Sequence, residues 1–174
     1  VFFWLLNEKP FDLVGTVFPA TGGVPVPKRD PSRQAYRLLE IERYGKKLNI
    51  NINKKPKFFP PADPHKAALF AIAAIKNGSI LDFGKSVLTK LWSEEQDISS
   101  DSTLETICKE LGLSFADLKK DADNEEIKSV YLSNSKDAIS KGVFGAPSFI
   151  IDNELFWGQD RLDFLEDKIK SLQK

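Results

Sequence analysis

Methionine is absent from these 174 residues, cysteine and histidine occur once each, and neither sign of charge prevails. A lone Cys108 cannot close an internal disulfide, which fits a reducing compartment. Nor can it supply the Cys-X-X-Cys pair of a disulfide oxidoreductase. His65 has no second histidine and no cysteine cluster around it, so a His/Cys metal site has no basis here. With 25 Lys+Arg against 25 Asp+Glu, the basic footprint that nucleic-acid binding requires is missing. The longest apolar run, Ala67 to Ile75, is far too short to cross a bilayer, so no membrane partner is expected.

The lack of methionine in a chain this long points to a sequence that is not the whole gene product. Its apolar start, Val1 to Leu6 (VFFWLL), follows no basic region and so resembles neither a signal peptide nor a transit peptide. The length suits one compact domain, or a small domain carrying a second as an insertion. A chain of this size buries roughly 70% of its unfolded surface, so its core needs no covalent staples.

What is present divides into three stretches. Phe11 to Phe18 (FDLVGTVF) is rich in β-formers and predicts a strand interrupted by Gly15. Ala20 to Pro31 holds two glycines and three prolines and predicts a loop. Pro31 then suits the first turn of a helix ending near Gly45, and the prolines of Asn49 to Pro61 forbid helix there. Asp63-Pro64 opens an apolar helix that Asn77-Gly78 closes; further helices are expected over 80–92, 102–111, 114–121 and 125–141. Residues 31–141 thus read as an almost entirely helical block.

Beyond it the pattern changes. Ser148-Phe149-Ile150-Ile151 and Glu154-Leu155-Phe156-Trp157 are short β-rich runs joined by Asp152-Asn153, which predicts a tight hairpin. Asp160 then begins an amphipathic helix through Leu162, Phe164, Leu165 and Ile169. A loop, a proline, a hairpin and a terminal helix make the closing half of a thioredoxin fold, in which the proline usually follows a cis peptide. A cis bond costs several kcal/mol before other residues but about 0.5–1 before proline, so Pro147 suits that turn. The turn leaves the backbone of Ala146 open to an extended ligand, which it can bond as an added strand would. The plainer alternative makes Pro147 the start of an edge strand.

Gly158-Gln159-Asp160-Arg161 stands where the last strand becomes the last helix. Free N–H groups at a helix start attract a carboxylate, and Asp160 can accept an ammonium group. Together they suit the zwitterionic end of a γ-glutamyl group. The alternative makes Asp160 an N-cap, with Asp163 completing something like a capping box.

The segment GVFGAPSFIIDNELFWGQDRLDFLE resembles the C-terminal signature of the 2-hydroxychromene-2-carboxylate isomerases, relatives of kappa-class glutathione transferases. GTVFPATGGVPVPKRDPSRQAYRLLE is similar to that family's segment after its second strand. FFPPADPHKAALFAIAAI and LWSEEQDI resemble its inserted helical domain. The resemblance implies an α/β fold: a thioredoxin-like, glutathione-binding domain (residues 1–30 and 142–174) with an inserted all-helical domain (31–141). It implies a homodimer, a small aromatic or unsaturated keto-acid substrate, and a cytoplasmic protein.

It further implies glutathione as a cofactor whose thiolate, rather than any protein side chain, is the nucleophile. A kappa-class transferase, which conjugates glutathione to its acceptor, and a non-catalytic thioredoxin-like module that binds glutathione or peptides are the rival readings. By the resemblance, Ala146 before Pro147 pairs with the cysteinyl backbone of glutathione, and Gln159 and Asp160 hold its γ-glutamyl end. Arg33 matches a basic residue that approaches the ligand in relatives, although it equally suits a solvated helix face. At Gly23 some relatives carry an asparagine that touches glutathione. The family's catalytic serine lies in an N-terminal Ser-Pro turn. No serine precedes Ser32 here, so no catalytic side chain is assigned. Cys108, Trp92 and Trp157 read as packing residues, with Trp157 bordering the proposed site.

Overall fold

The structure, a computed structural model, describes residues 7–78 and 80–172. The apolar start, Val1 to Leu6, lies outside them. The described chain divides into two compact units. One gathers Arg29–Tyr131 with the chain before Phe11; the other joins Phe11–Lys28 to the chain from Leu132 onward.

Four helices build the core of the first unit: α3 (Lys66–Ala74), α4 (Ile80–Trp92), α5 (Asp101–Glu110) and α6 (Phe115–Ala122); α2 (Pro31–Leu48) precedes them in the chain. The first half of α7 (Glu125–Ser140) follows them. Local chemistry sets most of their ends. Asp30 accepts Ser32 N–H at 2.9 Å to start α2, and Ser100 and Ser114 cap α5 and α6 through Ser102 N–H and Asp117 N–H. Asp63 Oδ1 accepts the N–H groups of His65 (2.9 Å) and Lys66 (3.2 Å), so it caps the turn that leads into α3. The left-handed residues Gly78 (φ 68°) and Gly112 (φ 68°) close two of the helical segments.

Helix α2 runs past Gly45 to Leu48, three residues beyond the expected end. Gly45 is buried close against the following chain: a Cβ there would meet Ile52 Cγ2 at 2.8 Å and Ile50 O at 3.2 Å. Asn49 in the left-handed region (φ 52°) makes the actual stop. The core of this unit holds Phe70, Phe83, Leu104, Ile107, Cys108 and Leu118, with the Phe70 ring stacked on Phe83 and Phe115. A second cluster joins Ile72 of α3 to Ile127 and Tyr131 of α7. Lys90 is buried at the edge, its ammonium bonded to Glu110 at 2.8 Å and Glu94 at 3.0 Å.

The second unit corrects one expectation. Phe11 to Phe18 is not a strand: Leu13–Val17 forms a π-helical turn that runs into the short helix α1 (Phe18–Thr21). Two interactions outweigh the β-propensity of these residues. The Asp12 carboxylate accepts Gly15 N–H and Thr16 Oγ1–H, both at 2.8 Å, as helix caps do. Burial also follows a helical spacing: Leu13 and Val17 pack with Ala138, Ile139, Val143 and Leu155, while Val14 faces solvent. Asp12 N–H is further anchored on the wholly buried Ser135 hydroxyl at 2.9 Å.

The hairpin stands as expected. β1 (Ser148–Ile151) pairs antiparallel with β2 (Glu154–Trp157), and Asp152 and Asn153 take the left-handed conformations (φ 51° and 61°) of a two-residue turn. Lys168 of α8 (Leu162–Ser171) reaches back to Glu154 at 3.0 Å and Asp152 at 3.6 Å, fastening the last helix to the hairpin.

Candidate glutathione-binding site

Four of the five residues singled out by sequence belong to the second unit, on the two loops that flank the hairpin. The Ala146–Pro147 peptide is cis. Pro147 is not part of the strand; its carbonyl accepts Gly158 N–H at 3.0 Å, which ties the loop before β1 to the loop after β2. Ser148 Oγ donates to Gly145 O at 2.8 Å and braces the same turn from inside. Ala146 is exposed, and among the described residues no hydrogen bond closes on its N–H or C=O. An exposed, unpaired donor and acceptor on a braced turn is the geometry that accepts a strand-like ligand.

Gly145 owes its identity to a close approach. A Cβ there would collide with the Trp157 indole nitrogen and lie 2.8 Å from Cε2. Trp157 also packs on Phe144, ring centroids 5.0 Å apart, and remains half exposed. Trp157 is therefore the wall of this turn, a role its spacing alone did not reveal. The signal was the glycine directly before Ala-Pro, the residue type that a flat ring can approach. At Gly23, any Cβ would run into the Phe18 ring, so a side chain there has no room without a shift of Phe18.

Gln159–Arg161 forms a single 3-10 turn, and α8 begins only at Leu162. Asp160 therefore does not cap the last helix as its spacing suggested. Its carboxylate turns to Arg161 Nη1 at 2.7 Å, both side chains being about half exposed. Oδ1 also lies over Gly158, 2.5 Å from where a Cβ would stand, and Gly158 itself has φ 101°. Only glycine meets both conditions cheaply. Asp160 and Gln159 thus sit beside the helix start with a solvent-facing carboxylate whose one partner is an exposed, exchangeable arginine.

Arg33 belongs to the first unit, exposed on α2. It lines a depression of about 310 Å³ together with Arg29, Ser32, Tyr36 and Arg37. Ser32 donates through N–H and Oγ–H to Asp30 Oδ1, and these bonds, with Arg33 nearby, hold the Asp30 carboxyl below its ordinary range. Cys108 is fully buried, and burial raises its thiol pKa, which makes it a packing residue and no nucleophile. No group of His, Cys, Asp and Glu among the described residues is placed to hold a metal ion. No helix among them is long and apolar enough to cross a membrane.

The model of the DSBA-like thioredoxin domain matches residues 6–170. The chain belongs to that family. Its fold is therefore the α/β, DsbA-like thioredoxin fold with a helical insertion, the sheet of the described residues being the β1–β2 hairpin. One similar protein is the 2-hydroxychromene-2-carboxylate isomerase of Sphingobium xenophagum, 25% identical over 162 residues, which span 93% of this chain and 81% of the relative. A solved structure of selenomethionine 2-hydroxychromene-2-carboxylate isomerase matches in fold with TM-score 0.77 at 22% identity, covering 95% of this chain and 80% of its own.

Proposed function

We propose that the protein is a glutathione-dependent isomerase acting on 2-hydroxychromene-2-carboxylate or a similar unsaturated keto acid. The isomerase part rests on the relative from Sphingobium xenophagum, similar along nearly the whole chain. The glutathione part rests on one observation, the exposed and unpaired backbone of Ala146 beside cis-Pro147. Those groups fit the cofactor: a peptide needs a donor and an acceptor from one residue to be held as an added strand.

Glutathione, when bound, would supply the thiolate nucleophile. The protein's own residues orient it. Ala146 N–H and C=O take the cysteinyl backbone, and Ser148 and Gly158 keep that turn in shape through Gly145 and Pro147. Gln159 and Asp160 take the γ-glutamyl end, where the ammonium group replaces Arg161 as partner of the Asp160 carboxylate. Trp157 shields one side of the turn.

The test is turnover of 2-hydroxychromene-2-carboxylate by the 174-residue chain with and without glutathione. Interconversion that requires glutathione and leaves its concentration unchanged supports the proposal. Accumulation of a glutathione conjugate assigns a transferase instead, and turnover indifferent to glutathione removes the cofactor from the account.

A further inference from the structure

Two aromatic rings stand open beside the cis-proline turn. Phe144 is 43% exposed and Trp157 50%. Their centroids lie 5.0 Å apart, with the ring planes inclined by 59°. Neither ring belongs to the hydrophobic cluster of this unit, which gathers Val17, Ala138 and Val143. A contiguous exposed apolar patch is informative where a single exposed ring is not. Both rings are fixed in place. Val143, directly before Phe144, is buried in the cluster, while Trp157 ends β2 opposite Ser148 and lies against Gly145. An indole N–H can only donate, and among the described residues Trp157 Nε1 has no acceptor.

We propose that Phe144 and Trp157 form the platform on which the planar, conjugated part of the substrate stacks, with the indole N–H donating to an oxygen of its keto-acid group. This assignment rests on the proposed function, which puts the cysteinyl residue of glutathione on Ala146. The reacting carbon of the substrate must then lie beside that residue. Ala146 directly follows Gly145, which the indole covers, and stands two positions after Phe144. Stacking rewards a flat π-system, which aromatic rings meet with a face or an edge. A saturated acid of equal charge and similar size gains no such contact. The pair thereby favours conjugated over saturated acids, which is the specificity that this isomerisation needs. Both rings and Ala146 belong to the same compact unit.

The experiment is isothermal calorimetry of the full chain with trans-cinnamate, a planar conjugated acid, and with cyclohexylpropionate, its saturated counterpart. Each is titrated with and without glutathione. The expected result is tighter binding of cinnamate, weakened about fivefold by Trp157→Leu and less by Trp157→Phe, which keeps a ring and loses the N–H. Phe144→Leu is expected to weaken cinnamate binding about threefold, and none of these variants alters the affinity for glutathione by more than about twofold. Circular dichroism confirms folding of each variant, and Phe144→Leu carries the test should the Trp157 variants fail to fold. Absence of cinnamate binding overturns the platform, as does binding unchanged in both Trp157→Leu and Phe144→Leu, or no preference over the saturated acid. An equal loss of cinnamate and glutathione affinity also overturns it, because Trp157 is then only a brace of the turn. Failure of glutathione alone to bind removes the cofactor instead, and the cinnamate titration without glutathione still decides the platform.

Discussion

At the scale of single residues, the glycines around the hairpin carry the sharpest structural demands. Gly145 has an unstrained backbone, so the obstacle to a side chain there is the Trp157 indole alone. Gly145→Ala is expected to cost about 1–3 kcal/mol through overpacking. It is also expected to weaken glutathione binding, because the neighbouring Ala146 must move. Removing the obstacle in Gly145→Ala with Trp157→Ala should recover most of the lost affinity. Urea unfolding and glutathione titration of both variants check this; an unperturbed Gly145→Ala protein would show that Trp157 does not set the turn. Asp160 teaches a related lesson. Its type and position suggested an N-cap, yet its carboxylate pairs with Arg161 and lies over Gly158. A capping residue and a ligand-binding carboxylate share the same letter, and only the side-chain direction separates them.

At the scale of elements, chain punctuation was legible wherever one residue could make the stop or start alone. Pro31, Gly78 and the Asp152-Asn153 turn sit where they were expected, because their backbone preferences do not depend on distant neighbours. Phe11 to Phe18 was misread because its β-propensity competes with a cap from Asp12 and with packing against Ala138 and Val143, far along the chain.

Glu42 shows how an element is tied down. Lys46, one turn on in α2, and Lys54, beyond its end, bond its two oxygens at 2.7 and 2.9 Å. Their hydrogen bonds, that from Lys46 foremost, bring the Glu42 carboxyl from 4.5 down to about 2. The folded value lies below the unfolded one, so this clamp stabilises the fold above about pH 4.5 and fades as pH falls toward about 2. Carboxyl NMR should show Glu42 titrating near the lower value, and a midpoint at the ordinary one would mean that the clamp is open in solution.

At the scale of the whole molecule, family membership and the fold follow from the match over residues 6–170, while the site rests on a few backbone groups. The C-terminal third was readable because a proline, a hairpin and a helix in that order leave few alternatives. Ligand contacts were less readable, since they depend on unpaired main-chain atoms and on side-chain directions that composition does not encode. The central claim is that the turn at cis-Pro147 and the start of the last helix together hold glutathione. Calorimetric titration of glutathione into the full chain, beside its Asp160→Ala variant, tests it most directly. The account predicts micromolar-to-millimolar binding that weakens about tenfold in the variant, a loss of about 1.4 kcal/mol. Absence of binding to the unaltered chain at several millimolar glutathione would contradict it.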